Sequence, residues 1–549
     1  MKKSTSTKIL PAVLLSATLA ACGSSSDDSP AAPTPAPPPA GPAAGSLKVS
    51  ADARLTPTQA QDLRGVTFAK DGKIYVSGHV GLATADRQTV IGRFNADGTP
   101  DATFGTGGLV TINVAQKDTA NTTSTGDEQS QGIVELANGD IVVLVNAADG
   151  LGGDPITVGA GTIARPEGTN VTLLRLTSTG APVASFGTNG RAVVDLGWTE
   201  ADNAAWPAPV ANAGGTALVG NGYPRDSAWT IALDPSSSGA SERIVVFGAG
   251  PAPIVTSGTQ RVDNDRYIAR VLASNGTADP AFNSGKAFSF NALDTLGDNV
   301  RNGIVEADGK IVSAGYTNFG TGLGNHVVLF RLTSAGALDT TFPGFIPTST
   351  VVPGLSVVPG VAVFNPLVAD GGFAEAYGAA RQSDGAYVTT GYGNATAVTT
   401  PPTPSTLGYA SSLQPDLVSF RVRNGALDTT WGTSGRAVVQ SEGKGRATNE
   451  ERGRAIVALP DDRIVQFGRY GGATAVYVFT KDGVLDTRAD AGVTELAGAA
   501  SGDGIIELPT SPVTAQLFSA AVSADGKRLA ATTNTDDTGG ARLVVLDVN

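Results

Sequence analysis

The stretch Asn424-Gly-Ala-Leu-Asp-Thr-Thr-Trp-Gly-Thr-Ser-Gly435 is written, with changes, six times along the chain. Counted from its turn glycine, which recurs as Gly98, Gly180, Gly276, Gly336, Gly425 and Gly483, an aspartate stands three residues on as Asp101, Asp279, Asp339, Asp428 and Asp486. Val183 takes that place in the second copy. An aromatic stands six residues on as Phe104, Phe186, Phe282, Phe342 and Trp431, and Ala489 replaces it in the last. So short a segment buries no core by itself, and its recurrence over 549 residues points to one repeat architecture.

A second unit alternates with the first: apolar residues, a tight turn, then a β-rich run, as in Val66-Thr-Phe-Ala-Lys-Asp-Gly-Lys-Ile-Tyr-Val-Ser-Gly78. Asp-Gly and Asn-Gly supply the positive φ of the two-residue turns whose twist matches paired strands, so each unit reads as a hairpin. Turns at Asp71-Gly72, Asn138-Gly139, Asp308-Gly309, Asp384-Gly385 and Asp525-Gly526, with looser versions at Asp461-Asp462 and across 234–242, make seven hairpins. A further strand follows each, as Thr89–Phe94 or Val327–Arg331, and then the motif. The motif leads into a strand such as Leu109–Asn113 or Arg191–Val194, read here as the first strand of the next unit. Seventy glycines, few aromatics and no long amphipathic helical pattern agree with many short strands.

Four strands per unit and hairpins roughly every 65 to 80 residues, with one wider gap before the fourth unit, predict an all-β, seven-bladed β-propeller over 46–549. The blades are placed at 46–98, 106–179, 190–275, 284–335, 349–424, 434–482 and 492–549. Leu47-Lys-Val-Ser50 has two placements open to it, the inner strand of blade one or a strand closing blade seven. These segments resemble the delta-60 repeat family, most closely at Arg93-Phe-Asn-Ala-Asp-Gly-Thr-Pro-Asp-Ala-Thr-Phe-Gly105 and Arg331–Phe342. That resemblance implies a β-propeller and supplies no catalytic residues.

Residues 1–21 carry Lys2, Lys3 and Lys8, then the apolar run Ile9–Leu15, then small residues, the layout of a secretory signal. Leu19-Ala-Ala-Cys22 resembles a bacterial lipobox, which implies cleavage before Cys22 and its lipidation. Gly23 in place of aspartate implies sorting to the outer membrane. Residues 22–45, rich in Ser, Asp, Pro and Ala, read as a tether able to hold the propeller up to roughly 60 Å from the lipid. Cys22 is the only cysteine, so with its thiol lipidated no disulfide is available. Loss of the three signal lysines moves the formal charge from −12 to −15, which speaks against nucleic acid and anionic lipid surfaces as partners.

The recurring aspartate has two readings, a calcium ligand beside Asn95 and Asp97, or a turn residue accepting backbone N–H groups. The second is preferred, because every turn needs fixing and no terminal bidentate Glu follows. The aromatic is read as a wedge between blades. A carboxylate precedes each of six hairpins, Asp62, Glu128, Asp226, Asp298, Glu375 and Glu451. These form either an acidic ring able to hold a cation such as calcium, or loop and cap positions.

Catalytic signals are poor: His79 and His326 are far apart, HExxH and GxSxG are missing, and Ser441-Glu-Gly-Lys444 lacks its partner motifs. Length variation gathers on one face, in 147–170, 196–227, 248–266, 353–375 and 391–415. There Trp198, Glu200, Asp202 and Trp206 form a candidate ligand contact, with the two tryptophans packing back on blade three as the other reading. The expected function is a non-enzymatic, lipid-anchored binding module for a protein or glycan. The alternative is a hydrolase, lyase or oxidoreductase with a metal in the channel.

Overall fold

The computed structural model describes residues 45–549 except 55–59, 82–85, 116–125, 149–154, 159–160, 165–167, 197–209, 212–217, 220–225, 252–263, 293–296, 320–323, 347–355, 368–372, 395–414, 442–450, 492, 494, 496–498, 509–514 and 535–539. The expected sites at Cys22, Trp198, Glu200, Asp202 and Trp206 lie outside the described residues. What is described forms a seven-bladed, all-β propeller of four-stranded antiparallel sheets.

The inner strands are Ala60–Phe68, Glu128–Glu135, Ser227–Leu233, Asp298–Val305, Ala374–Arg381, Arg452–Ala458 and Leu517–Val522. Each touches the inner strands of both neighbouring blades, and the ring is thereby closed. In blade one the inner strand pairs with Ile74–Val80, which pairs with Gln88–Phe94, which pairs with the outer strand Leu109–Ile112. Seven apolar clusters make the core, one at each seam between adjoining blades. A blade therefore buries both of its faces, which is why Ile74–Val80 and Ala473–Phe479 are buried at almost every position instead of at alternate ones.

The strand after each motif differs from expectation. Leu109–Ile112 pairs with Gln88–Phe94, and Arg191–Val194 with Thr169–Leu176, so each is the outer strand of its own blade and not the first of the next. The motif is a tight reversal: Asp101 N–H donates to the Arg93 carbonyl and Arg93 N–H to the Gly108 carbonyl, which turns the chain back along the strand it has just left. The blades accordingly run 60–112, 128–194, 227–290, 298–364, 374–439, 452–507 and 517–548. Leu47–Arg54 pairs with Arg542–Val548 and supplies the outer strand of blade seven, so the first and last strands of the propeller meet in one sheet. The chain thus ends in the third strand of that blade, not the fourth.

The motif residues act together. In blade one the Asp101 carboxylate accepts from Thr103 N–H at 3.1 Å and pairs with Arg93 at 2.7 Å. The Arg93 guanidinium lies 5.2 Å from the Phe104 ring centroid, and Arg270 over Phe282 and Arg331 over Phe342 repeat this at 5.0 and 4.9 Å. Arg–Asp pairs recur at Arg270–Asp279, Arg331–Asp339 and Arg423–Asp428. Where Val183 interrupts the series, Arg175 pairs with Asp140 instead, at 2.7 Å.

Four of the five aromatics, Phe104, Phe186, Phe282 and Trp431, also pack on the turn glycine of the next copy, while Gly425 meets Pro343 beside Phe342. A Cβ on Gly483, which has φ of 83°, would lie 2.5 Å from the Trp431 ring. Only glycine satisfies both the conformation and the space.

With the strands reassigned, hairpins join strands one and two and motifs join strands three and four, all on one face. Of the variable segments, 147–170, 248–266 and 391–415 join strands two and three and 196–227 joins blade two to blade three, all from the opposite face; 353–375 instead contains the outer strand Val361–Phe364 of blade four, and its first residues end a motif-face connection. Two of these segments contain short hairpins, Pro155–Val158 with Gly161–Ala164 and Val210–Ala211 with Leu218–Val219.

Candidate functional site

The six carboxylates stand at or just before the variable-face end of their inner strands. The structure does not bring them together, and among the described residues no group of three or more His, Cys, Asp or Glu side chains is placed to hold a metal ion. Five of them tie their blade to the preceding one. Glu128 accepts from the N–H groups of Thr89, Val114 and Ala115 in and after the strands of blade one, at 2.9, 2.7 and 3.3 Å. Asp226 accepts from Leu196 N–H and Asp298 from Ala292 N–H, each at 3.0 Å and each just past the outer strand of the blade before. Glu375 accepts from the Asn325 amide, and Glu451 from the Ser441 hydroxyl and Gly471 N–H.

Asp62 instead pairs with Arg64 at 2.7 Å and lies 3.8 Å from His79. Burial pushes the Glu128 carboxyl up to about 7 against the pull of its three donors, and pushes Asp226 up to about 7 as well. This recurrence in sequence is a set of buried seam clasps. In blade seven Gln516 takes the place, its N–H donating to the Asn534 side chain.

A different recurrence builds the channel. Every inner strand carries a register break at the same place along the strand, and the residue passed over there is Arg64, Gln131, Trp229, Arg301, Tyr377, Arg454 and Phe518 in chain order; the first inner strand has a further break between Ala60 and Asp62. A bulge leaves its extra residue out of the ladder and re-aims the side chain. All seven of these residues line one central cavity of about 340 Å³.

Their side chains form a chain of contacts around it. Arg64 lies 5.1 Å from the Phe518 ring centroid, Arg454 is 5.7 Å from Phe518 and 4.1 Å from Tyr377, and Arg301 is 5.0 Å from Tyr377 and 4.2 Å from Trp229. Gln131 accepts from Arg64 at 3.5 Å. Behind Tyr377, Tyr392 stacks at 4.9 Å with the two hydroxyls 2.7 Å apart, and Tyr316 accepts from Arg301 at 2.7 Å. Burial raises Tyr316, Tyr377 and Tyr392 above the ordinary phenol range, which keeps all three as neutral hydroxyls.

The guanidiniums differ in their partners. Arg64 is neutralised by Asp62, whereas Arg301 and Arg454 form no ion pair among the described residues, and the Nε of each is buried without a hydrogen-bond partner. Glu375, within Coulombic reach of Arg301, is engaged by Asn325 and by Tyr392 and Tyr377. Next to the channel, and sharing Gln131 and Trp229 with it, lies a second pocket of about 280 Å³ between blades two and three, with Gln129, Thr169 and Ser227 on its wall.

Both histidines are buried, and burial pushes each down to about 4, so they are neutral at pH 7. His326 packs edge-on against Phe319 at 5.0 Å. The Ser441 hydroxyl is held by Glu451.

Sequence reasoning missed the bulge residues, although a signal was there. Arg64-Gly65, Gln131-Gly132 and Tyr377-Gly378 place a large residue before a glycine two or three positions after the clasp carboxylate. An isolated glycine in a strand marks a bulge or a close approach. Here it marks both, since a Cβ on Gly65 would lie 2.3 Å from Ser77 Oγ and 3.0 Å from the Gly132 backbone of the next blade.

Residues 69–104 and 306–342 match the family model described as "Domain of unknown function (DUF5122) beta-propeller". No curated protein matches the chain in sequence. Among solved structures it is similar to the WD40 beta-propeller domain of Doa1, at 10% identity and TM-score 0.33 over 91% of this chain and 96% of that one. It is similar also to prolyl oligopeptidase B from Galerina marginata, at 12% identity and TM-score 0.36 over 86% of this chain but only 47% of that one. A third is a polysaccharide lyase of family PL25, an ulvan lyase, at 10% identity and TM-score 0.33 over 76% and 78% of the two chains. Likenesses this distant say nothing of activity. A propeller is in general a fold that supports interaction or binding, and these neighbours include enzymes.

Proposed function

We propose that this chain is a lipid-anchored binding module of the cell envelope, tethered to the outer membrane through Cys22 and residues 22–45, with a glycan as its ligand. The observation that carries the ligand class is the pocket between blades two and three. Gln129, Gln131, Thr169 and Ser227 supply amide and hydroxyl groups there, and the Trp229 indole supplies a flat apolar face. A sugar ring presents the complement, hydroxyls around its rim and C–H groups on its faces. Continuity with the central channel through Gln131 and Trp229 gives the ligand room beyond one ring.

Calorimetric titration of the full-length protein with a panel of soluble oligosaccharides tests this. Saturable binding to at least one class is expected, weakened about tenfold or more by Gln129→Ala with Gln131→Ala while the melting temperature stays nearly unchanged. A panel without binding would end the glycan reading. For the anchor, Cys22→Ser is expected to abolish incorporation of labelled fatty acid, and a variant still labelled would refute it.

A further inference from the structure

We propose that the Arg301–Tyr377–Arg454 wall of the channel is an anion site, and that the glycan it serves is acidic, with a carboxylate on the sugar. The sugar part rests on the glycan reading above. The charge part rests on the channel alone.

The chain as a whole is acidic, with 50 Asp and Glu against 38 Lys and Arg. A cationic channel is therefore not a by-product of composition. Most structural arginines of the blades have carboxylate partners within 3 Å, as Arg93, Arg175, Arg270 and Arg331 do. Arg301 and Arg454 meet rings and a hydroxyl but form no ion pair among the described residues, a state the fully buried Arg266 shares; unlike Arg266, they line the channel. Two guanidiniums facing one cavity without an ion-pair partner repel each other and lack part of their hydration, and Glu375 near Arg301 is already engaged by Asn325, Tyr392 and Tyr377. An anion entering between them relieves both effects, and a planar carboxylate fits the guanidinium fork.

The surroundings choose among anions. Trp229 touches Arg301 at 4.2 Å and also lines the amide pocket, so one ring stacked on the indole can set its acid group toward Arg301. Tyr377, in contact with both guanidiniums, offers a second ring surface. Arg64 adds little, because Asp62 already balances it.

The test is calorimetry on the full-length protein with four probes: galacturonate oligosaccharides, the same oligosaccharides with every carboxyl methyl-esterified, sulfated oligosaccharides of similar length, and malonate. The acid is expected to bind at least tenfold more tightly than its ester. That preference should weaken with added salt and disappear in Arg301→Gln and Arg454→Gln. Equal binding of acid and ester would overturn the anion site and leave the glycan reading standing. Tighter binding of the sulfated probe would overturn the carboxylate assignment. A simple dicarboxylate such as malonate that binds as well as the acid oligosaccharide would keep the anion site and overturn the sugar. Because acid and ester are compared on the unaltered protein, the result stands even if an arginine variant fails to fold.

Discussion

The two faces of the propeller are built by opposite rules. On the motif face the same chemistry is written blade after blade: a hairpin, an arginine paired to an aspartate, and, in four copies, an aromatic packed under the glycine of the next. On the axis, near the other face, the backbone device also repeats, a bulge at the same place in every inner strand, but the residue it presents changes every time except for the three arginines. Repetition of a side chain here marks what every blade needs in order to stand against its neighbour. Variation at a repeated backbone position marks what only the assembled ring needs.

The contrast is sharpest at Trp431, which is 1% exposed and donates its indole N–H to the Lys481 carbonyl of blade six at 3.1 Å. Trp431→Ala is expected to destabilise by about 3 to 5 kcal/mol, the range for emptying a large aromatic site in a core. Denaturant unfolding measures it. A loss below about 1 kcal/mol would mean that the motif face does not hold the blades together.

Next in size is Asp279→Ala, which leaves Arg270 buried with Asp234, at 3.4 Å, as its remaining carboxylate and the Ser334 carbonyl as acceptor. The expected loss is about 3 kcal/mol, as when one partner of a buried pair is removed. Val183→Ala, at the place where blade two has no such pair, should change stability by less than about 1 kcal/mol. Equal losses at the two sites would show that the pair contributes nothing beyond packing.

Much of the motif face was legible in the sequence because its determinants are local. Asp-Gly turns and the Asp two residues before its N–H donor act within a dozen residues, and the aromatic, although its partner glycine lies in the next copy, shows itself by recurring at a fixed place in the motif. Strand order within the blade was not legible, since Leu109–Ile112 follows the motif in sequence whichever blade it joins, and only pairing with Gln88–Phe94 decides. The carboxylates were visible as a series, but their partners, such as Val114 for Glu128, sit in the preceding blade at no fixed spacing. The channel was the least legible. Its seven residues share no chemistry, and a register break is a property of two strands, not of one.

The seam clasps lie between the two rules, and pH probes them. The Asp226 carboxyl is raised to about 7 by burial, so the folded chain binds that proton more tightly than the unfolded chain does. Its contribution to stability is full below the unfolded carboxylate range near about 4 and is lost as pH rises through about 7. The protein should therefore lose stability between about pH 4 and pH 7. Asp226→Asn, which keeps an oxygen for Leu196 N–H, should make that loss shallower by on the order of 1 kcal/mol. An unchanged slope in the variant would show that Asp226 is already ionised at pH 5.

The smallest expected effect separates the arginines of the channel from one another. Arg64 sits in the ring at the same bulge as Arg301 and Arg454, and it too lies over an aromatic, Phe518 at 5.1 Å. If position alone decided function, the three would be interchangeable. Charge balance says otherwise, because Asp62 holds Arg64 through two of its nitrogens, at 3.1 and 2.7 Å. Its field in the cavity is largely cancelled at source, and the pair is part-exposed, so stability should move by no more than about 1 kcal/mol in Arg64→Gln. Affinity for a galacturonate oligosaccharide should fall by less than about threefold, against tenfold or more for Arg301→Gln or Arg454→Gln. Asp62→Asn supplies the converse: it frees the Arg64 charge and should tighten binding of the acid probe while leaving the esterified probe where it was. Three equal arginine losses would show that the ring reads its ligand by shape and stacking, and that the distinction between paired and unpaired guanidiniums has no bearing on the site.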